Sequence, residues 1–236
     1  KAGIINESQK LKLQRLPIKL NFKLESHKDG TATYFREYLR DYMKKWVEEN
    51  KKPDGSDYDI YKDGLKIYTT IDSRMQLHAE EAVEAHMANL QEEFFNQAKD
   101  NKNAPFVNIS EAETQRIIDK AMRASSRWNI MESMDKSEDE IIASFKQKTK
   151  MTVFTWKGER DTIMTPLDSL KYHKQILQTG FLAVDPFTGE VKAWVGGINH
   201  HYFQYDHVNK SAGRQVGSTF KPFVYALAID NKISPC

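Results

Sequence analysis

Cysteine is almost absent. The single Cys236 is the last of 236 residues, so no internal disulfide can form and cysteine usage reveals nothing about redox compartment. Long apolar runs are missing as well. With a mean hydropathy of -0.67, no stretch approaches the roughly 20 apolar residues a bilayer-crossing helix needs, which excludes such a helix within these residues. An excess of one charge is lacking: 35 Lys and Arg against 33 Asp and Glu leave +2, so electrostatics alone nominate neither nucleic acid nor an anionic membrane as partner. There is no initiator Met and no basic-then-apolar leader. The chain opens on Lys1 inside a polar stretch, and both ends are expected to be cuts within a longer protein. Glycine-rich phosphate loops, internal repeats and low-complexity tracts are also absent. What is there, 39% hydrophobic and 29% charged residues, suffices for one large domain or two small ones.

Beneath the neutral balance lies a local basic excess: Lys1, Lys10, Lys12, Arg15, Lys19 and Lys23 face only Glu7 and Glu25, the pattern of a solvated basic arm. Leu16 to Phe22 alternates as a short strand would, with Pro17 keeping it at an edge. From a Thr33 cap, Phe35, Leu39, Tyr42, Met43 and Trp46 recur at helical spacing. Leu65, Ile67 and Thr69 alternate behind Gly64 and predict a second strand over Leu65–Thr70. Asp72 or Ser73 can cap a helix whose apolar stripe is Met75, Ala79, Ala82, Val83, Met87, Leu90 and Phe94. His86 falls on that stripe without a second ligand at metal spacing, so it is expected to pack rather than coordinate.

Capping boxes at Ser110 with Glu113 and Ser137 with Glu140 announce two short helices. Residues 101–150, which hold no glycine, predict a helical appendage with a core of Ile117, Ile118, Met122, Trp128, Ile141, Ile142 and Phe145. From Met151 the pattern turns to strand, with a turn at Lys157-Gly158-Glu159. Thr165-Pro166-Leu167-Asp168 then starts another helix, with Thr as cap and Pro at its first position. Phe181–Val184 and Val191–Val195 flank Asp185-Pro186-Phe187-Thr188-Gly189, which favours an antiparallel hairpin with its first strand buried on both faces. The fold class is α+β, in three stretches: 1–72, 73–164 and 165–236.

Chemistry concentrates in Arg214-Gln215-Val216-Gly217-Ser218-Thr219-Phe220-Lys221-Pro222-Phe223. If Ser218 opens a helix, Lys221 lies one turn on, on the same face. A serine hydroxyl becomes a nucleophile when a base takes its proton, and a lysine serves once burial or positive neighbours hold it neutral. Free N–H groups at the helix start can contribute to an oxyanion hole, and Gly217 admits a substrate close to the backbone. Pro222 has no N–H, so a helix beginning at Ser218 would have a distorted first turn. Ser-x-x-Lys alone is weak, since a second match, Ser133 to Lys136, falls in a charged connector. The His200-His201 and His207 cluster lacks a third ligand type, so no metal and no cofactor are expected. Tyr202, Phe203 and Tyr205 are expected to pack over the rim of the serine site and not to stack on nucleic-acid bases.

Arg-Gln-x-Gly-Ser-Thr-Phe-Lys-Pro at 214–222, together with Gly180-Phe-Leu-Ala-Val-Asp-Pro-x-Thr-Gly-x-Val-x-Ala-Trp-Val-Gly-Gly197, resembles the start of the transpeptidase domain of class A penicillin-binding proteins. Gly64 to Asp72 resembles that family's segment between its glycosyltransferase and transpeptidase regions. Val216 stands where the family commonly has Pro. The resemblance implies Ser218 as nucleophile toward D-alanyl-D-alanine of peptidoglycan stem peptides, Lys221 as its base, and Ser218 with Gly217 at the oxyanion site. It also implies acylation of Ser218 by β-lactams and a parent that polymerises glycan strands. That parent would be membrane-anchored and work on the periplasmic side of the cytoplasmic membrane. The family's Ser-x-Asn and Lys-Thr-Gly motifs do not follow Lys221 here, so these 236 residues are expected to be inactive by themselves.

Two alternatives stand beside this reading, the first from another class and the second from the same serine-lysine group. Residues 73–150 could serve as a structural spacer that docks regulators of wall synthesis. A single-domain β-lactamase or penicillin sensor would not need the Leu65–Asp72 segment. Uncovered strands of the hairpin would also favour pairing between copies of the chain.

Overall fold

The computed structural model describes residues 6–14, 30–101, 103–211, 213 and 215–234. The strand expected over Leu16 to Phe22, and most of the basic arm, lie outside the described residues. Helices are α1 (Glu7–Gln14), α2 (Thr33–Glu49), α3 (Ser73–Gln97), α4 (Glu111–Arg123), α5 (Ser126–Glu132), α6 (Glu138–Phe145), α7 (Pro166–Lys174) and α8 (Lys221–Asp230). Strands are β1 (Thr149–Val153), β2 (Arg160–Met164), β3 (Phe181–Val184) and β4 (Val191–Val195). Among the described residues they form two antiparallel pairs, β1 with β2 and β3 with β4. The architecture is α+β.

Local signals place most helix starts. Asp72 accepts from the N–H of Arg74 and Met75, Ser110 from Glu113, and Thr165 from Asp168. Ser137 and Glu140 form the full reciprocal box. Each satisfies donors that the first helical turn leaves open. A third short helix, α5, is capped by Ser125. The α2 helix departs from expectation: Ala32, not Thr33, precedes it, in the left-handed region at φ 55 with no side-chain cap. Its backbone N–H donates instead to Glu80 of α3 at 2.7 Å.

The middle helices close around Ile118, Met122, Trp128, Ile141 and Phe145, with Ile142, Leu167 and Leu170 packed against them. Ile117, expected inside, lies at the edge and is partly exposed. Leu167 and Leu170 bring α7 onto this core, so the helix at the head of the 165–236 stretch packs with the stretch before it. A second core joins Ala79 and Val83 of α3 to Ala193 and Val195 of β4.

The α3 stripe is turned from the expected one. Gln76, Ala79, Met87 and Gln91 are buried, whereas Met75 and Leu90 are exposed. His86, expected to pack, is exposed on the same helix. Tyr42 of α2 also faces solvent.

The strand expected over Leu65–Thr70 is irregular. Thr70 Oγ1 donates to Val191 O at 2.7 Å, and Asp72 N–H donates to Lys192 O at 3.0 Å. No ladder forms, because the edge of β4 at Trp194 is already occupied by the Gln76 side chain. The β3–β4 hairpin itself is present, with an irregularity between Ala183 and Val184. Asp185 shapes its turn by accepting from the N–H of Phe187 and Thr188, and Gly189 supplies φ +74. The expectation that β3 is buried on both faces is corrected: Phe181, Leu182 and Val184 are 46%, 41% and 47% exposed. The cause is that α2 and α3 cover β4, leaving β3 at the rim.

Candidate functional site

The chain reaches Ser218 through a tight 3-10 turn, Gly217–Phe220, which runs straight into α8. Gly217 takes φ +52, with open space where a Cβ would stand. Pro222 explains the turn. With no N–H at 222, Ser218 O cannot make the usual bond to the fourth residue on, and it accepts from Lys221 N–H instead. Side chains three apart eclipse in a 3-10 turn, so Ser218 and Lys221 share a face. Among the described residues no side-chain hydrogen bond joins them, and both are exposed. The rest of α8 is uncovered as well: Phe223, Tyr225 and Leu227 are 68%, 62% and 64% exposed.

The other Ser-x-x-Lys is committed elsewhere. Ser133 Oγ donates to Ile130 O at 2.7 Å, and Lys136 pairs with Glu140 at 3.0 Å. The histidines of the 196–208 loop do not converge either. His200 meets the Tyr34 ring edge-on, His201 meets Tyr202 and His207 meets Tyr205, each at 4.9 Å. No group of three potential metal ligands forms among the described residues. Tyr202 and Phe203 do not rim the serine, as had been expected. They pack with Phe154 and His173 against the end of β1 and α7.

Three features around β4 had no obvious mark in the sequence. First, Gln76 does the work of a neighbouring strand: its Oε1 accepts from Trp194 N–H at 2.7 Å and its Nε2 donates to Trp194 O at 2.9 Å. The same Nε2 donates to Glu80 at 2.7 Å, and Glu80 receives Ala32 N–H. One network thus ties β4, α3 and the start of α2. Gln91 repeats the device further along α3, donating to Gln175 O at 3.0 Å and accepting from Leu177 N–H at 2.8 Å. Second, the Tyr34 hydroxyl donates to Phe203 O at 2.5 Å, and burial pushes its phenol well above the usual range. Its ring lies so close to Gly197 that a Cβ there would collide with it. Third, Asp206 holds the Trp194 indole N–H at 2.9 Å, and His207 N–H donates to Gly196 O at 2.7 Å, folding the loop back over β4.

Glutamine falling on a 76, 80, 83, 87, 91 spacing within an apolar stripe was the available signal for the first of these. Between α3, the start of α2, the end of β1 and the 197–201 loop lies an open cavity of 440 Å³. An apolar trough of 520 Å³ runs on the other side of α3, along β3, past Ala79, Met87 and Phe181.

Compared with known families, residues 101–177 match the family described as Penicillin-binding protein middle domain. Over 93% of its length the chain is 27% identical to Penicillin-binding protein 1A of Rickettsia bellii, covering 28% of that protein. Penicillin-binding protein 1A of Neisseria flavescens is 27% identical over 72% of the chain and 24% of its own length. A shorter stretch, 25% of the chain, is 42% identical to Penicillin-binding protein 2D of Bacillus subtilis, covering 8% of it. The chain therefore spans less than a third of the length of these relatives. No solved structure matches.

Proposed function

The chain belongs to the class A penicillin-binding proteins, and from that premise we propose that it carries the nucleophile of a peptidoglycan D,D-transpeptidase, Ser218. In this reading Ser218 Oγ attacks the carbonyl of the penultimate D-alanine of a stem peptide, and the terminal D-alanine departs with a proton. The amine of a neighbouring stem then attacks the resulting ester, restoring the serine and closing the cross-link. Lys221 takes and returns the serine proton. Backbone N–H groups of the turn at Gly217 and Ser218 face the developing oxyanion. β-Lactams form the same ester and stall there. The parent also polymerises glycan strands and works, membrane-anchored, on the periplasmic side. Among the described residues no helix is long and apolar enough to cross a membrane.

The observation that carries the reading is the turn itself. A glycine at positive φ and a proline four residues after Ser218 force a 3-10 start that presents Ser218 and Lys221 on one face at the head of an apolar helix. Intact-mass spectrometry after incubation with a labelled penicillin tests it. The full-length protein is expected to gain one penicilloyl group on Ser218, and these 236 residues by themselves to gain none or to react far more slowly. Absence of labelling on the full-length protein would refute the assignment. Rapid stoichiometric labelling of the 236 residues would refute the need for further motifs.

One observation favours a second role alongside the first. Within residues 73–150, the helices α4 to α6 close around a core of their own, as befits a spacer that docks other wall-synthesis proteins. A pull-down with the full-length protein lacking that region distinguishes docking from mere packing, since packing predicts unchanged partners.

A further inference from the structure

We propose that His173 is a proton-operated latch on the 196–208 loop: neutral, it holds the loop's aromatic tip against α7, and protonated, it lets that tip go. His173 lies in the last turn of α7, where its ring stacks on Tyr202 at 6.1 Å and meets Phe203 edge-on at 5.9 Å. Phe154, just beyond β1, completes the cluster at 5.8 and 5.5 Å from the same two rings. The far end of the loop is anchored separately, by Asp206 on Trp194 and by His207 on Gly196. The tip, residues 199–205, is therefore the part that His173 governs.

The two ring nitrogens are unequal. Nδ1 lies 2.9 Å from Ser169 O, and a carbonyl can only accept, so Nδ1 carries the proton of the neutral ring. Nε2 is then a bare acceptor, buried with no partner among the described residues. Protonation puts a second N–H and a charge at that nitrogen, with no acceptor to receive them. Stacking a cation on Tyr202 recovers part of the cost but supplies no acceptor for the added N–H.

The charged and titratable groups on the surrounding elements do not change this. On α7, Tyr172 donates to Phe154 O at 2.8 Å, and Lys171 and Lys174 are exposed. From the β1–β2 side, Glu159 receives the Tyr202 hydroxyl at 2.9 Å, Asp161 receives Thr152 at 2.7 Å, and Arg160 is exposed. On the loop, His201 meets Tyr202 edge-on. Burial therefore keeps the proton off His173, opposed by Ser169 O.

Release relieves the conflict, because water then accepts from Nε2. The helix stays behind, held on the helical core by Leu167 and Leu170. A freed imidazole titrates near its ordinary value of 6.5, above the latched one. The released fraction should then grow as pH falls below about 6.5, by at most about tenfold per unit for one proton. Residues 197–201 also wall the 440 Å³ cavity, and the loop runs on toward the turn at Ser218, so release loosens both. The latch stands whether or not Ser218 is the nucleophile.

Hydrogen exchange of the 236-residue chain at pH 7.5 and 5.5, read by mass spectrometry and corrected for intrinsic exchange rates, tests it. Peptides covering 199–205, where Phe203 N–H donates to Asn199 O at 2.8 Å, should exchange about three- to tenfold faster at pH 5.5, while α4 to α6 stay protected. His173→Phe keeps a ring but cannot titrate, and should abolish the acceleration. The His173 Cε1 proton of the unaltered chain, followed by NMR, should titrate below pH 6.5, a readout that needs no variant. An unchanged rate at 199–205, or titration of His173 at or above 6.5, would overturn the latch. So would exchange of 199–205 only together with α4 to α6, the mark of whole-chain unfolding. Full acceleration in folded His173→Phe would also overturn it and assign the effect to His200, His201 or His207 on the loop itself.

Discussion

Replacing Gln76 by leucine probes the strand-like role of its amide most directly. The Gln76 side chain is 1% exposed and makes both hydrogen bonds that a further strand would make to Trp194. Leucine fills a similar volume but neither donates nor accepts, so Trp194 N–H and C=O are left without partners beside a buried helix. An unsatisfied buried polar group costs about 1–3 kcal/mol. Two such groups, less what the apolar side chain returns, give about 2–4 kcal/mol. Gln76→Glu is the sharper contrast. A carboxylate could still accept from Trp194 N–H, but its second oxygen would face Trp194 O and Glu80, where Nε2 now donates at 2.9 and 2.7 Å. It should destabilise more than leucine at neutral pH. Protonation supplies the missing donor, so this variant binds its proton more tightly when folded, and its deficit should narrow as pH falls. Urea unfolding followed by tryptophan fluorescence gives the stability change, and hydrogen exchange at the Trp194 amide gives its location. If Gln76→Leu stays within about 0.5 kcal/mol of the parent, the range of ordinary surface changes, and Trp194 remains protected, the reasoning fails.

Phe145→Ala, at 1% exposure in the helical core, should cost about 3–5 kcal/mol in urea unfolding and loosen α4 to α7 together. Gly197→Ala forces a Cβ into the Tyr34 ring and should raise hydrogen exchange at the start of α2 and in the 197–208 loop, a change visible by mass spectrometry. His173 shares its Nδ1 proton with Ser169 O at 2.9 Å, while its Nε2 is buried without a partner. Burial, only partly offset by that carbonyl, holds its pKa below the usual value near 6.5. The unfolded chain therefore takes up this proton first, and stability should fall as pH drops below about 6.5, an effect that His173→Gln should reduce in pH-dependent thermal melts.

Local chemistry was the legible part of this fold. Asp72, Ser110, Ser137 and Thr165 cap their helices by reaching two or three residues along the chain, and that interaction is written in adjacent letters. Pro222 is similar, since its missing N–H has one local effect wherever the helix is placed. The helical core was readable because Ile118, Met122, Ile141 and Phe145 satisfy a 3.6-residue period within their own helices. The misreadings share a different cause. The face of α3 was set by what it meets, and it meets backbone amides that want Gln76 and Gln91, not more methyl groups. Leu65–Thr70 has the alternation of a strand, but pairing depends on a free edge, and Gln76 had taken it at Trp194. Tyr34 and Phe203 are 169 residues apart in sequence, and nothing local to either announces the bond between them. At the candidate serine, the turn geometry was legible from Gly217 and Pro222, whereas its exposure depends on surfaces far from it.

That exposure links folding to chemistry. A helix apolar on all sides is a buried helix in a finished core, and α8, with Phe223, Leu227 and Ile229 all uncovered, has the sequence of one. β3 has the same unfulfilled character, with Phe181 open along the trough beside α3 and Leu182 exposed as well. A lysine becomes a base for serine only when burial or nearby positive charge favours its neutral form, and Lys221 sits on α8. If Ser218 is the nucleophile proposed above, whatever covers α8 must also supply the environment in which it reacts, and packing and activation are then one event for this helix. Protection of the α8 amides from exchange and the rate of penicillin acylation at Ser218 should then rise together across conditions or added segments. A rapid acylation with α8 still freely exchanging would separate them and show that the turn at Gly217–Phe220 activates the serine without a core around it.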